Sequence, residues 1–321
     1  YREPVLLQGN EGIIKVLKKK KIKNVMLITD KGIRSAGLTA PLEQLLAEQG
    51  IDCCVFDDTV ANPTVANVEA ARKLYIEKSC RGLIAFGGGS SMDCAKAVGA
   101  RIARPKKRLV DMEGIEKVIL KIPLLIAIPT TAGTGSETTL AAVITDEKTH
   151  HKYPINDFSL IPPYAVLDPE VTLGLPPQLT AATGMDALTH AVEAYIGGST
   201  TKKTRSASVK AVKLIFENLE KAYEDGQNRQ ARANMLKASY LAGTAFTKSY
   251  VGYVHAVAHS LGGKYGIAHG LANAVLLPPV LEAYGGSVHK KLAKLARETG
   301  LAKDGSSDAE AAKRFIDKIY E

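Results

Sequence analysis

The chain has 321 residues, and its 42 basic and 33 acidic side chains give a formal net charge of +9. Hydrophobic residues make up 45% of it and charged residues 23%, a globular balance that excludes disordered, collagen-like and coiled-coil chains. No apolar run approaches the roughly 18 residues of a membrane-spanning helix, and the length predicts two domains.

The first half of the chain alternates short β-branched segments with stretches of helical periodicity. We expect strands at residues 25–29, 53–56, 83–86 and 124–128, and helices at 42–49, 65–79 and 92–102. Strands that are apolar on both faces and separated by helices predict an α/β domain with a mostly parallel sheet. Two further strands, at 142–145 and 164–167, are expected to complete this half of the chain.

The second half is predicted to be helical. Apolar residues recur at helical spacing in segments 178–196, 207–223, 230–246, 272–284, 288–299 and 309–320, and a helix around 254–259 is expected to end at the glycines at 262–263. Proline pairs at 162–163 and 176–177 precede this change, so we place an α/β domain at 1–172 and an all-helical domain at 173–321. The last helix reaches Glu321 without a stop signal, so we expect this domain to be incomplete at its C-terminal end.

A run of lysines at 18–21, followed by Lys23, raises the question of nucleic-acid binding. The run follows the apolar residues of a predicted helix, where cations complement the negative end of the helix dipole. No aromatic stacking platform or nucleic-acid-binding motif accompanies it. We therefore favour a solvated helix end, and expect neither a nucleic-acid nor a membrane partner.

The cysteines indicate a reducing compartment. The four residues contain no C-x-x-C motif and no paired framework: Cys53, Cys54, Cys80 and Cys94. A reduced cytoplasmic protein is the simplest interpretation, and any metal site would have to use histidine and carboxylate ligands.

A glycine-rich segment follows the predicted strand at 83–86 and resembles a phosphate-binding turn. Three glycines at 87–89 precede Ser90 and Ser91, where the strand turns into a helix. Glycines let the backbone approach a bulky anion, and the free N–H groups of a helix N-terminus stabilise its charge. Ser90 or Ser91 could cap this helix and add a hydroxyl donor. The pattern is not G-x-G-x-x-G, and a plain glycine-rich turn explains it about as well.

A second loop, at residues 129–139, holds five threonines, one serine and two glycines. Hydroxyls and small residues suit contacts with ribose, pyrophosphate and amide groups. Two such loops at the carboxyl ends of parallel strands predict a ligand in the crevice of the sheet. Asp30, at the end of the strand at 25–29, could accept a hydrogen bond from a ribose hydroxyl, and an Asx turn before Gly32 is the competing interpretation.

Histidine spacing points to a metal site in the helical half. Asp186 and His190 are four residues apart, as are His255 and His259, so each pair projects from one helix face. An aspartate beside a histidine in apolar surroundings requires a partner such as a divalent cation. With His269, these side chains form an N/O ligand set typical of zinc or iron(II) rather than calcium or magnesium. The remaining histidines are interpreted as surface residues: His150, His151 and His289.

At these residues the sequence resembles the iron-containing (group III) alcohol dehydrogenase family, and is similar to lactaldehyde reductases and bacterial butanol dehydrogenases. Segments 87–93, 129–139, 184–190 and 254–274 carry the resemblance, which spans almost the whole chain. It implies a dehydroquinate synthase-like fold, with a dinucleotide-binding domain, a helical metal-binding domain and an active site in the cleft between them. A homodimer or higher homo-oligomer is also expected.

The resemblance implies roles for individual residues. The metal ligands would be Asp186, His190, His255 and His269, with Fe(II) favoured over Zn, and His259 would lie near the substrate as the group that carries the hydroxyl proton. Phe246 would be a substrate-pocket aromatic, and Ala141 and Val251 indicate a small apolar pocket. The cofactor residues would be Asp30, Asn62, Gly88, Gly89, Ser90, Asp93, Thr130, Thr131, Thr134, Thr139 and Lys152. A carboxylate at Asp30 repels a 2′-phosphate, so NAD is favoured over NADP.

These parts predict a metal-dependent alcohol dehydrogenase that transfers a hydride between NAD(H) and a short primary alcohol, aldehyde or diol. A glycerol dehydrogenase and a dehydroquinate synthase are the enzyme alternatives. The second requires a basic phosphate pocket near the metal, where only Lys264 provides a nearby cation. A filament-forming protein and an NAD sensor are alternatives from another class. The complete Asp-His-His-His set disfavours a metal-free sensor.

Overall fold

The structure, a computed structural model, describes residues 2–321, which divide into two compact units. The first unit comprises the chain up to Thr131 together with Ser136–Thr172, and the second comprises Ala132–Gly135 and Leu173–Glu321. Within residues 2–321, no helix has the length and apolar character needed to cross a membrane.

Of the elements in the described part of the chain, the first unit contains every strand and five α-helices. The strands are β1 (Val5–Leu6), β2 (Asn24–Ile28), β3 (Asp52–Phe56), β4 (Gly82–Gly87), β5 (Gly114–Ile115), β6 (Leu124–Pro129), β7 (Ala141–Asp146), β8 (His151–Asn156) and β9 (Tyr164–Ala165). The helices are α1 (Gly9–Lys19), α2 (Lys31–Ser35), α3 (Ala40–Glu48), α4 (Val65–Glu77) and α5 (Gly89–Ala103). Short 3-10 helices lie at Val110–Met112, Ser136–Thr138, Phe158–Leu160 and Pro169–Thr172.

Six strands form one parallel sheet in the order β1-β9-β6-β4-β2-β3, which confirms the predicted α/β architecture. Both faces of the sheet are covered. Val25 and Leu27 of β2 pack in one apolar cluster with residues of α1 and α3, while Met26 and Ile28 pack in the other with residues of α4 and α5. Each such buried aliphatic side chain stabilises the fold by about 1.5–3 kcal/mol, and burial on both faces explains why these strands are apolar throughout.

Segment 142–145 is a strand, as predicted, but it lies outside the six-stranded sheet. β7 pairs antiparallel with β8, and β8 pairs with β5, in a separate three-stranded sheet. In β8, exposed and buried residues alternate from Lys152 to Ile155, as is typical of an antiparallel sheet with one solvated face. Tyr153 and Ile155 join the apolar cluster on the α4 and α5 side of the large sheet.

The strand order creates a crevice between β2 and β4. The chain moves from β2 to β3 on one side and then returns to β4 on the other side of β2. In doubly wound sheets, ligands bind outside the carboxyl ends of the strands at this kind of switch point. Asp30 follows β2, and Gly88 and Gly89 follow β4, so the topology brings these predicted cofactor residues to the same edge of the sheet.

The second unit is helical, as predicted. Its helices are α6 (Pro177–Ile196), α7 (Lys202–Glu224), α8 (Arg229–Ser249), α9 (Tyr253–Tyr265), α10 (His269–Tyr284), α11 (Gly286–Glu298) and α12 (Asp308–Tyr320). The expected end of α9 at Gly262 and Gly263 is wrong, because the helix continues to Tyr265. Gly266, with φ of +69°, ends it in the left-handed conformation that glycine adopts at low cost.

Candidate active site

Helix α6 carries three buried polar residues of the second unit: two acidic residues and one histidine. Asp186, His190 and Glu193 follow one another at spacings of four and three residues, so they lie on one face of the helix. All three are buried. Since buried charges require partners, this face of α6 must meet hydrogen-bond donors, cations or a metal ion.

The partners of Asp186 are histidines from two other helices. Its Oδ1 atom lies 3.5 Å from His255 Nε2 on α9 and 3.4 Å from His269 Nε2 at the start of α10. Ligand atoms about 2.1 Å from a tetrahedral ion lie about 3.4 Å from one another. Because these three side chains offer ligand atoms that all lie within 4.8 Å of each other, they fit a single divalent cation.

His190 lies beside this cluster. Its Nδ1 atom is 3.8 Å from Asp186 Oδ1, and its ring stacks between His255 (centroids 4.3 Å apart) and Phe246 (4.1 Å). Burial lowers the pKa of His190 to about 3, so the ring is neutral at physiological pH. Nδ1 is buried and has no hydrogen-bond partner within residues 2–321, which is costly unless a ligand engages it. This orphaned atom beside a carboxylate supports His190 as the fourth metal-binding group.

The charges of the cluster favour cation binding. Burial acts to raise the pKa of Asp186, but its electrostatic interaction with His190 and its hydrogen bonds with His255 and His269 outweigh this effect and hold the pKa well below its usual value. Burial acts to lower the pKa of His255, but hydrogen bonds with Asp186 and Glu193 raise it to about 9. When no ion is bound, a protonated His255 therefore supplies the positive charge that a metal ion would otherwise provide.

The predicted proton-transfer and pocket residues lie at different distances from this cluster. His259 is exposed on α9, and its ring centroid is 4.9 Å from that of His269 and 6.3 Å from that of His255. Phe246 contacts His190 as described, and Val251 is 40% exposed between α8 and α9. Ala141 belongs to the first unit, where its carbonyl accepts a hydrogen bond from a lysine, so the structure does not group the three pocket residues within one unit.

Among the predicted cofactor residues, the structure brings three polar side chains together in the first unit. The backbone N–H of Asn62 donates to Ser90 Oγ (3.3 Å), and Lys152 Nζ donates to Asn62 Oδ1 (2.6 Å). Helix α5 begins at Gly89 with Gly88 as its N-cap, so neither Ser90 nor Ser91 caps it. Ser91 instead packs against Gly87, where a Cβ atom would collide with its hydroxyl group.

Asp30 caps helix α2. Its Oδ1 atom accepts a hydrogen bond from the backbone N–H of Ile33 (2.9 Å). The contacts that Asp30 makes within the protein are therefore those of a local turn. The cap also fixes the carboxylate at the carboxyl end of β2, the position from which a ribose hydroxyl would be bound.

Hydrogen bonds with neighbouring backbone and side-chain groups hold the threonine-rich loop in place. Thr130 N donates to Gly87 O (3.0 Å), and a Cβ atom added at Gly88 would lie 3.4 Å from Thr131 Oγ1. The carboxylate of Asp93 accepts from Ser136 Oγ (3.3 Å) and Val143 N (3.1 Å), and burial raises its pKa to about 6. Both oxygens of Asp93 are thus engaged inside the protein. Thr139 is likewise bound by a buried lysine, and Thr134 belongs to the second unit.

Three important polar residues were not predicted: Lys96, Glu193 and Asn273. Lys96 is fully buried, and its ammonium group lies 2.7–3.0 Å from five oxygen atoms of Ser136, Thr139 and Ala141. Asn273 on α10 donates to Asp186 Oδ1 (2.8 Å). A lysine in the apolar α5 segment, and a glutamate three residues after His190, were the available signals.

Two family models together match most of the chain. "Iron-containing alcohol dehydrogenase" matches residues 7–169, and "Fe-containing alcohol dehydrogenase family, C-terminal" matches residues 180–321. The chain belongs to the iron-containing alcohol dehydrogenase family. The family resemblance and the fold class predicted from the sequence are confirmed, and the iron in the family's description agrees with the Asp186, His255 and His269 cluster.

Individual members of the family are also similar. Alcohol dehydrogenase 4 of Schizosaccharomyces pombe is 45% identical over 83% of this chain, which spans 63% of that protein. The 1,3-propanediol dehydrogenase of Citrobacter freundii is 43% identical over 92% of this chain and 77% of its own length.

Solved structures show the same fold. A 1,3-propanediol oxidoreductase covers 100% of this chain at 38% identity and a TM-score of 0.95, with 85% of its own chain matched. A sulfoacetaldehyde reductase of Bifidobacterium kashiwanohense, solved in complex with NAD+, matches 99% of this chain and 85% of its own at 31% identity and a TM-score of 0.86.

Proposed function

We propose that this chain is an NAD-dependent, metal-containing alcohol dehydrogenase that acts on short primary alcohols, aldehydes or diols. The observation that carries the proposal is the buried group of Asp186, His255 and His269, with the orphaned Nδ1 atom of His190 beside it. The 1,3-propanediol enzymes among its relatives favour a diol or its aldehyde as the substrate class.

The proposed metal site consists of four side chains from three helices: Asp186, His190, His255 and His269. When bound there, Fe(II) would polarise the substrate oxygen as a Lewis acid. Asp186 supplies the negative charge of the site, since its pKa is held low. His255 and His269 direct Nε2 atoms towards that carboxylate, so these atoms would hold the ion from two sides of Asp186 Oδ1.

The dinucleotide is proposed to bind at the carboxyl ends of β2, β4 and β6. The N–H groups at the start of α5 can stabilise its pyrophosphate, while Asn62, Ser90 and Lys152 form a polar group nearby. The NAD+ complex of the related sulfoacetaldehyde reductase supports this cofactor. We assign dinucleotide binding to residues 1–172 and metal binding to residues 173–321.

We further propose a cytoplasmic homo-oligomer. Free cysteines support a reducing compartment, and burial raises the pKa of the Cys80 and Cys94 thiols to about 12, which keeps them unreactive. The small-molecule substrate is then the principal partner besides other copies of the chain.

Metal analysis of anaerobically purified protein, combined with NADH oxidation against a panel of short aldehydes, tests the proposed function. We expect about one metal ion per chain and the highest rates with hydroxylated or unbranched C2–C4 aldehydes. Metal-loaded protein that binds NADH but reduces none of the aldehydes would instead favour the sensor or lyase alternative.

Asp30→Asn should relax the preference for NAD without destabilising the fold. Asparagine keeps the oxygen that caps α2, but it removes the negative charge that would repel the 2′-phosphate of NADP. We expect the NADP-to-NAD ratio of kcat/KM to rise about tenfold, equivalent to about 1.4 kcal/mol. Asp30→Ala is the matched variant, which should lose the cap and about 1 kcal/mol of stability as well. An unchanged cofactor ratio in both variants would place Asp30 away from the ribose.

His259→Ala should lower turnover while leaving the metal content intact. The ring is exposed beside His269, where it can exchange a proton with water. Loss of an acid–base group typically lowers the rate by about 10²-fold or more. Steady-state kinetics and metal analysis of the same preparation measure both effects. Metal loss in proportion to activity would make His259 a ligand instead.

A further inference from the structure

The carboxylate of Glu193 accepts three hydrogen bonds around the start of α9. Oε2 accepts from Gly252 N (2.8 Å) and His255 Nδ1 (2.6 Å), and Oε1 accepts from Val254 N (2.7 Å). The side chain is 1% exposed. A carboxylate in this position cannot exchange its partners for water, so the three contacts define the local geometry.

The contact with His255 determines which ring nitrogen faces the proposed metal site. An ionised carboxylate can only accept hydrogen bonds, so Nδ1 of His255 must carry a hydrogen atom. Nε2, which lies 3.5 Å from Asp186 Oδ1, is then the nitrogen with a lone pair for a cation once the ring is neutral. Carboxylate–histidine pairs of this kind orient metal ligands and raise their basicity.

The same carboxylate fixes the helix that bears the ligand. Gly252 is the N-cap of α9, and no side chain of α9 itself caps this end. Glu193 supplies the missing acceptor, and in doing so connects α9 to the face of α6 that holds Asp186 and His190. A Cβ atom at Gly252 would lie 2.8 Å from Oε1 and 3.2 Å from the carboxyl carbon, so the backbone approach requires glycine.

We propose that Glu193 is the positioning residue of the metal site, which sets both the tautomer and the location of His255. The inference rests on the proposed metal site but goes beyond it, since Glu193 itself is not a ligand. Three N–H groups converge on the carboxylate. A glutamine would have to direct its own N–H₂ at Val254 N in one orientation, or at both Gly252 N and His255 Nδ1 in the other, so only glutamate satisfies all three.

Metal affinity of the full chain tests this role without relying on activity. The dissociation constant for Zn²⁺, measured by competition with a chromogenic chelator, should rise about 10- to 100-fold in Glu193→Gln, the range typical of lost supporting partners. Gly252→Ala displaces the carboxylate without removing it and should also weaken Zn²⁺ binding. Gly263→Ala, on the same helix with nothing within 4 Å of the added Cβ, is the control and should bind like the parent.

The outcomes separate this inference from the proposed function. A parent protein that binds no Zn²⁺ would overturn the metal site and the inference together. A parent that binds Zn²⁺ while Glu193→Gln binds it equally well would overturn the inference alone.

A measurement on the parent protein keeps the test valid even where a variant does not fold. In the zinc-loaded chain, ¹⁵N NMR of labelled histidine should show His255 protonated at Nδ1 and metal-bound through Nε2. A hydrogen on Nε2 would contradict the role assigned to Glu193.

Discussion

Asp186→Ala should strip the metal ion from the chain and abolish its dehydrogenase activity. Asp186 is the one carboxylate in the proposed ligand group, and its Oδ1 atom lies 3.4–3.8 Å from nitrogens of three histidines. Without it, three imidazoles would have to hold a divalent cation with no compensating negative charge. Losing a partner that only supports a ligand lowers metal affinity by up to about 100-fold. Losing the ligand itself should cost at least as much, so we expect metal binding to weaken at least about 100-fold. Metal content after gel filtration, together with NADH oxidation, measures the effect.

Two comparison variants show whether charge or packing is responsible. Asp186→Asn keeps the shape of the side chain and should lose the metal almost as completely, because the charge is what binds the cation. His289→Ala removes a half-buried histidine of α11 that lies outside the cluster, and should keep full metal content and activity. If Asp186→Ala were folded by circular dichroism and still carried one metal ion per chain, the ligand assignment would be wrong.

The features that sequence reasoning could predict are those determined by neighbours along the chain. The i, i+4 spacing of Asp186 and His190 places both on one face of α6 whatever surrounds that helix. The apolar runs of β2 and β4 likewise indicate buried parallel strands from their own residues.

Contacts between distant segments could not be predicted in this way. Glu193 meets His255 across 62 residues, and Lys96 meets the loop at Ser136–Ala141 across 40 to 45 residues. In both cases, one side chain satisfies backbone groups that only the folded chain brings near it. The pairing of β7 with β8 outside the large sheet could not be predicted either, because an alternating pattern of exposed and buried residues does not identify the partner strand.

Of the two side chains, Lys96 makes the larger number of hydrogen bonds with a distant segment. Its ammonium group has three donors, which are shared among the carbonyls of Ser136, Thr139 and Ala141 and the hydroxyls of Ser136 and Thr139. Burial lowers the pKa of Lys96 to about 8, against the opposing effects of Asp93 and Glu137. Lys96 therefore remains largely protonated at neutral pH. Its ammonium group then binds the oxygen atoms at the end of the threonine-rich loop.

Lys96→Met should strongly destabilise the first unit. Methionine fills most of the same space, but it leaves the buried acceptors without donors and Asp93 and Glu137 without their cation. Removing one partner from a buried charged group costs about 3–5 kcal/mol. We expect a loss of this size in the free energy of unfolding by urea, together with weaker NADH binding as measured by fluorescence, because Ser136 and Thr139 lose their anchor. Lys73→Met, at a lysine whose side chain is 79% exposed, should change stability by less than about 0.5 kcal/mol.

The pH dependence of stability provides a second test of Lys96. Its pKa falls from 10.5 to about 8 on folding, so between these values the unfolded chain binds more protons than the folded chain. The contribution of Lys96 to the free energy of unfolding should therefore rise with pH from about 8 to about 10, because stability increases wherever the unfolded state is the more protonated one. Lys96→Met should lack this rise, whereas Lys73→Met should retain it. Parallel pH profiles for the parent and Lys96→Met would mean that Lys96 titrates normally, and that the loop is held by other contacts.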